Sequence, residues 1–317
     1  MTPRQSTSPG STTPDPSGKR AGEPSDPAEP RQPRRASLAP GLYLVATPIG
    51  NLGDITLRAL DILRDADLIA CEDTRITRRL LSHYGVDTPT TAYHDHNAPA
   101  ALPRLIKRLQ KGEIVALVSD AGTPLISDPG YRLVQAAIAE GIPVTTAPGP
   151  VAAIAALTLA GLPTDSFLFA GFLPPKQAAR RQRLEALAAV PAALIFYESP
   201  RRVPATLAEM ADCWGERPAA LVREITKIYE EVRRGSLGEL AAAFAEEGPP
   251  RGEVVLVVGP PAPQASLDDG QIDALLAQTL ASMSLRDAVD HVVAASGRPR
   301  RDVYRRALAL AADEPSE

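Results

Sequence analysis

Residues 41–63 read GLYLVATPIGNLGDITLRALDIL, and the order of residue types in this stretch decides the fold. Residues 42–46 are a short, almost wholly apolar run, the length of a buried strand. A turn-rich stretch follows from Thr47 to Asp54, with Pro48, Gly50 and Gly53 in it. Leu57, Leu60 and Leu63 then recur at the spacing of one helix face. Strand, glycine-rich loop and helix in that order make the first half of a crossover unit.

The same alternation continues toward the C-terminus. Residues 68–71 form another short apolar run, and 74–84 a helix closed by Gly85. Residues 98–111 read as a helix closed by Gly112, 114–118 as a strand, and 130–140 as a helix closed by Gly141. A strand over 144–147 and a buried helix over 151–160 follow. Beyond Leu162-Pro163-Thr164-Asp165 the pattern restarts. Strands are predicted over 167–170, 192–197, 219–223, 231–234 and 253–258. Helices are predicted over 176–189, 201–213 and 236–246, the last with Ser236 as N-cap. The run 253–258 is nearly all valine and leucine, which suits a central strand covered on both faces. The expected fold class is α/β with a mainly parallel sheet, divided into domains at 41–162 and 163–260.

The ends of the chain differ from this body. Proline makes up 32 of 317 residues, about twice the usual share of about 5%. Nine of these prolines fall in the first 40 residues, among ten Ser and Thr, so residues 1–40 read as a disordered tail. Residues 260–265 read as a Pro/Ala linker. Helices follow over 266–313: Ser284 caps 285–296, Gly297–Arg300 make a turn, and 301–312 carry Val303, Ala307 and Leu310 on one face. Five arginines lie between Arg298 and Arg306. That fits a small helix-turn-helix unit and equally a helical hairpin with a solvated basic face.

Composition removes several classes. Two cysteines, Cys71 and Cys213, exclude a disulfide framework and a multi-cysteine zinc site, and fit a reducing compartment. The longest small-apolar run, 151–160, falls short of the about 20 residues a bilayer span needs. The N-terminal stretch has no apolar core of the signal-peptide kind. A net charge of −4 argues against a general nucleic-acid binder but leaves room for local basic patches.

In a doubly wound sheet, ligands sit at the carboxyl ends of strands. Four loops there stand out. The first, 47–54, is glycine-rich but matches neither common phosphate-binding motif. The second, 119–130, holds two Gly, two Pro, two Ser and two Asp and is longer than a connector needs. The third, Pro148-Gly149-Pro150-Val151-Ala152-Ala153, opens an alanine-rich helix against which a flat group would pack. The fourth, Tyr93-His94-Asp95-His96-Asn97, lacks a third metal ligand and reads as a substrate-contacting polar cluster, with no metal site expected. Further along, Tyr197-Glu198-Ser199-Pro200-Arg201-Arg202 and the charged run 223–231 end strands and suit a phosphate-facing cleft.

Taken together, these segments resemble a known family. They are 44–56 (LVATPIGNLGDIT), Glu72-Asp73-Thr74-Arg75, Tyr93–Asn97, Ser119–Pro124, Tyr197–Arg201, Arg223-Glu224-Ile225-Thr226-Lys227 and Gly252-Glu253, in that order. The chain resembles the branch of the tetrapyrrole-methylase superfamily that methylates ribosomal RNA, over about residues 41–260. The C-terminal helices resemble that branch's appended helix-turn-helix. Where the family motif usually has Glu between the two histidines, this chain has Asp95.

The resemblance implies two α/β/α domains with S-adenosylmethionine in the cleft between them. It implies 2′-O-methylation of a cytidine ribose in the decoding centre of bacterial small-subunit ribosomal RNA. It also implies a homodimer. The net-acidic charge suggests the assembled 30S particle as the substrate, with naked RNA left open, and the composition suits a cytoplasmic location with no membrane partner. Cofactor contacts carry over to Pro48, to Asp120, Ala121, Gly122 and Thr123, to Val151 and Ala152, and to Ala170, Gly171 and Leu221. The acceptor hydroxyl is a poor nucleophile while protonated, so a base would help. Asp128, Glu72 and Glu198 are the catalytic candidates, with Asp73, His94 and Asp95 nearby. Arg75, His94, Lys176, Arg201, Arg202 and Lys227 are the expected RNA contacts. Two other readings stay open: methylation of a small tetrapyrrole precursor, and a non-enzymatic RNA-binding protein.

Overall fold

The computed structural model describes residues 38–262 and 267–312. The expected tail up to Ser37 and half of the expected linker, residues 263–265, lie outside the described residues.

The first sheet grows from β1 (Gly41–Val45), α1 (Leu57–Asp65), β2 (Leu68–Cys71), α2 (Thr74–His83), β3 (Thr90–Ala92), α3 (Ala98–Gln110), β4 (Ile114–Val118), α4 (Tyr131–Ala139) and β5 (Val144–Ala147). Its order is β3-β2-β4-β1-β5 and every pairing is parallel. Side chains alternate between two cores. Tyr43, Val45, Ile69 and Val118 meet α1 on one face, while Leu42, Leu68, Val115 and Leu117 meet α3 and α4 on the other. The helices start where the sequence offers caps. The Thr56 hydroxyl accepts from the Ala59 N–H, and the Asp73 carboxylate accepts from the Arg75 N–H.

α5 (Ala152–Ala160) comes next, then β6 (Phe167–Phe172), α6 (Gln177–Leu187), β7 (Ala193–Glu198), α7 (Val203–Trp214), β8 (Pro218–Arg223), β9 (Glu231–Ser236), α8 (Leu237–Glu247) and β10 (Val254–Val258). The order is β6-β7-β10-β8-β9. The all-buried β10 is central, as its valine-rich sequence predicts. Burying each such Val or Leu contributes about 1.5–3 kcal/mol.

Here the sheet departs from the parallel expectation. β6 pairs parallel with β7, but β10 runs antiparallel to both β7 and β8, and β9 runs antiparallel to β8. The cause is the connection after β8. It has no helix, so β9 turns straight back beside β8. Helices α6, α7 and α8 cover one face of this sheet. The other face is covered by α5 through Ala153, Ala156, Leu157 and Ala160, although α5 precedes the expected break at 162–165. Arg234 of β9 donates to the carbonyls of Leu159 and Ala160, filling acceptors that the helix end leaves open.

A separate core joins α9 (Asp269–Leu280), α10 (Leu285–Ser296) and α11 (Arg300–Ala312) through Ile272, Leu276, Val289, Val292, Val303 and Ala307. The basic face expected here is largely neutralised. Arg298 and Arg306 pair with Asp269, Arg300 with Asp290, and Arg305 with Asp302. No described helix is long and apolar enough to cross a membrane.

Candidate active site

The carboxyl ends of β4, β5, β6 and β7 and the start of β10 surround a cavity of about 370 Å³. That volume lies within the range that suits a small-molecule ligand. Its walls are mostly apolar, including Ile49, Ile126, Val151, Phe172, Ile225 and Val255.

The loop 119–130 forms much of the first-sheet wall. Thr47 and Gly122 exchange backbone hydrogen bonds (2.9 and 3.1 Å), so this loop is tied to the first. The Thr123 hydroxyl donates to the Pro150 carbonyl at 3.1 Å, tying it to the third. Gly122 is needed there. Its φ is +85°, and an added Cβ would sit 3.2 Å from Ile49. Leu125 and Ser127 also have left-handed backbones (φ 75° and 62°), a conformation that costs about 1–3 kcal/mol for such residues and gathers at functional sites.

Three carboxylates meet near this wall. Burial pushes Asp128 up to about 6, with the Glu72 charge adding to the effect. Burial and the charge of Asp120 raise Glu72 as well. Asp120 accepts from the Asp73 N–H at 2.9 Å, joining this cluster to the start of α2. Asp73 itself is held at about 2 by the Arg75 guanidinium. Among the described residues no group of three or more His, Cys, Asp or Glu is placed to hold a metal ion.

The second-sheet wall is built differently. The Glu198 side chain is fully buried. It accepts from the Ser199 N–H (2.7 Å) and the Thr206 hydroxyl (2.8 Å) and pairs with Arg202 (3.3 Å). Its carboxylate thus holds the turn between β7 and α7. Arg202 donates onward to the carbonyls of Leu173 and Pro174 (2.9 and 3.1 Å), so it is a clamp within the fold. Lys227 is a clamp too. It bonds Glu224 and Glu253, each at 2.9 Å, and lies over Gly50, where a Cβ would meet its chain at 2.5 Å. Thr226 adds a hydroxyl bond to Asp54, so the loops of the two sheets are joined here.

Of the sequence-derived residues, Ala121, Gly122, Thr123, Asp128, Val151, Ala152 and Glu198 border the cavity. Pro48, Asp120, Ala170, Leu221 and Glu72 do not. Ala170 and Leu221 turn their side chains into the core under α6–α8. Gly171 abuts the cavity loop, with its Cβ position 3.6 Å from the Ser127 hydroxyl. Of the expected RNA contacts, Lys176 and Arg201 are exposed and form no ion pair among the described residues. Arg75 is 86% exposed but grips Asp73 (2.6 Å). His94 is half-buried, and its Nδ1 has no hydrogen-bond partner among the described residues. Ile49, Ile126, Phe172, Tyr197 and Ile225 line the cavity without having been singled out individually. Tyr197 stood in a quoted motif. Phe172 offered only the end of an apolar run.

Residues 41–241 match the family described as Tetrapyrrole (Corrin/Porphyrin) Methylases. Residues 266–311 match the RsmI C-terminal HTH domain. A protein of Mesorhizobium japonicum named Ribosomal RNA small subunit methyltransferase I is 55% identical, over 86% of this chain and 93% of its own length. A protein of the same name from Pseudomonas aeruginosa is 49% identical, over 84% of this chain and 96% of its own. The crystal structure of uroporphyrin-III-C-methyltransferase from Thermus thermophilus is similar with a TM-score of 0.51 and 25% identity, covering 69% of this chain and 93% of that one.

Proposed function

The chain belongs to the tetrapyrrole methylase family, and from that membership we propose that it is an S-adenosylmethionine-dependent methyltransferase of small-subunit ribosomal RNA, acting on the 2′-oxygen of a cytidine ribose in the decoding centre. The observation that carries this is the apolar cavity between the sheets, with the raised carboxyl of Asp128 in its wall.

The residues present fit such a donor. Ala121–Thr123, Val151 and Ala152 offer backbone and small side chains, against which an adenosine packs closely. The carboxylates nearby, both raised by burial and by like charges, favour a cationic group such as a sulfonium. When bound, the donor supplies an electrophilic methyl group on a positively charged sulfur.

The chain's own work is to align and to move a proton. In-line displacement breaks the carbon–sulfur bond as the carbon–oxygen bond forms, so the acceptor oxygen must be held in line. Walls closed by the Lys227 and Thr226 contacts supply that orientation. The hydroxyl proton leaves to Asp128. A carboxyl titrating at about 6 is mostly ionised at pH 7, yet is a stronger base than an ordinary aspartate. Lys176 and Arg201, exposed and without an ion pair among the described residues, meet the RNA phosphates.

The relatives' names and the C-terminal helical unit favour ribosomal RNA over a small tetrapyrrole. We read the substrate as the assembled 30S particle, because a net-acidic enzyme gains specificity from a folded surface. A homodimer in the cytoplasm completes the reading.

The test is to map 2′-O-methyl ribose in small-subunit RNA from a deletion strain, with and without the gene restored. One cytidine should lose and regain the mark. An unchanged map would overturn the assignment.

A further inference from the structure

We propose that Phe172 is the stacking platform for a nucleobase of the RNA substrate, with Lys176 and Arg201 meeting the neighbouring phosphates. This rests on RNA being the substrate.

Phe172 ends β6 and lines the cavity, yet 58% of it is exposed. A single exposed apolar side chain is ordinary. This one differs in how firmly it is held. Its ring packs edge-to-face on Tyr197 (centroids 5.6 Å, 65°), and Tyr197 packs edge-to-face on Phe169 (4.9 Å, 66°). The Tyr197 hydroxyl accepts from the Ala153 N–H at 3.2 Å, which pins the middle ring to the head of α5. Three rings therefore run from the core to the cavity mouth, and the last is left to solvent.

The chain after Phe172 is equally fixed. Pro174 and Pro175 stiffen it, and Arg202 holds the carbonyls of Leu173 and Pro174. Arg202 is in turn held by the buried Glu198. This rigid segment ends at Lys176, exposed and unpaired among the described residues. Arg201 follows Pro200, another cavity-lining residue, and is likewise exposed and unpaired. A braced aromatic ring beside a ligand cavity, with an exposed cation on each of the two segments that hold it, suits single-stranded nucleic acid.

A walled cavity admits a ribose 2′-oxygen most directly when its nucleotide is turned out from its neighbours, and that gives up stacking. Stacking on Phe172 replaces part of what is lost. Because every base has a π-face, the platform supplies affinity and position, and the choice of base comes from elsewhere.

The experiment uses the full chain, unmethylated 30S particles and S-adenosylmethionine, with variants F172A, F172L and F172W. Methylation kinetics are read against particle concentration, donor binding by calorimetry, and folding by thermal melting. F172W should stay within about threefold of the parent. F172A and F172L should lose about 5- to 150-fold in kcat/KM for particles, the equivalent of about 1–3 kcal/mol of stacking, with donor affinity unchanged. Equal activity of F172L and F172W would overturn the proposal. So would a parallel loss of donor affinity, which would make Phe172 a donor wall. If the parent chain leaves the particles unmethylated, the RNA reading fails before any variant is measured, and this proposal falls with it.

Discussion

The two walls of the cleft use the same residue types to opposite ends. On the first-sheet side, burial and the charges of Glu72 and Asp120 outweigh the Ser119 hydrogen bond, and Asp128 titrates high. On the second-sheet side, Glu198 faces Arg202, Glu224 and Glu253 share Lys227, and Glu231 meets Arg223. Hydrogen bonds from the Glu253 backbone and from Lys227 hold Glu224 below the usual carboxylate range. A carboxylate with its cation in place is a joint in the scaffold. One raised by burial and by like charges keeps its reactivity.

The strongest way to break this contrast is Asp128→Asn. Loss of the base should lower kcat by about 10²–10⁴-fold. In the parent chain, kcat/KM should rise with pH and level off above about 6. Stability should move the other way. The folded-state value near 6 exceeds the ordinary carboxyl value of about 4. Between those values the folded chain keeps its proton longer, so stability falls as pH rises through that window and is flat above it. At pH 8 the Asn variant should therefore be more stable by up to about 2 kcal/mol, after allowance for solvent screening, and the gap should close by pH 4. Equal melting at both pH values would show that Asp128 is not strained by its surroundings.

The matching change on the other wall is Glu198→Ala. Removing one partner of a buried, hydrogen-bonded pair should cost about 3 kcal/mol, read by denaturant unfolding. Glu198→Gln keeps the shape and most acceptors, and should keep kcat within about threefold when assayed cold. If its kcat collapsed as far as that of the Asp128 variant, the two roles would have to be exchanged.

These two acids also show what the sequence can convey. Both were legible as candidates, because Asp128 sits in an over-long loop after a strand and Glu198 at the end of one, beside turn residues. Their difference was not legible. Glu198 is committed by Thr206, eight residues on, while Asp128 is raised by burial and by Glu72, which arrives from another strand end. The fold divides in the same way. Helix crossovers announce parallel strands, which gave the whole first sheet and the β6–β8 run. The reversal of β9 and the central insertion of β10 depend on pairings that periodicity does not encode. The placement of α5 is hidden for a related reason. An alanine-rich helix fits closely against either sheet, and only the second sheet's exposed valine and alanine face selects it.

A smaller effect separates free cations from clamped ones. Lys176→Ala with Arg201→Ala should leave melting unchanged and weaken RNA binding. It should also reduce the slope of log affinity against log salt by about 1.4, from two lost phosphate contacts. Arg202→Ala should instead lower stability by about 1–2 kcal/mol, because the Leu173 and Pro174 carbonyls lose their donor. Identical salt slopes for the double variant and the parent would remove both residues from the RNA interface.

The smallest effect is expected where the sequence looks most basic. Arg305 lies on α11 and is exposed, but it is bound to Asp302 one turn away at 3.2 Å. An exposed helical pair of this kind contributes about 0.3–0.5 kcal/mol. Arg305→Ala should thus shift stability by no more than that, and should leave RNA affinity within about twofold of the parent. The carboxylates Asp269, Asp290 and Asp302 already answer the arginines around them, which lowers the local field a phosphate would meet. If the substitution instead weakened RNA binding as much as losing Arg201, exposure would outweigh internal pairing. The rule that separates the two walls of the cleft would then fail for cations while still holding for acids.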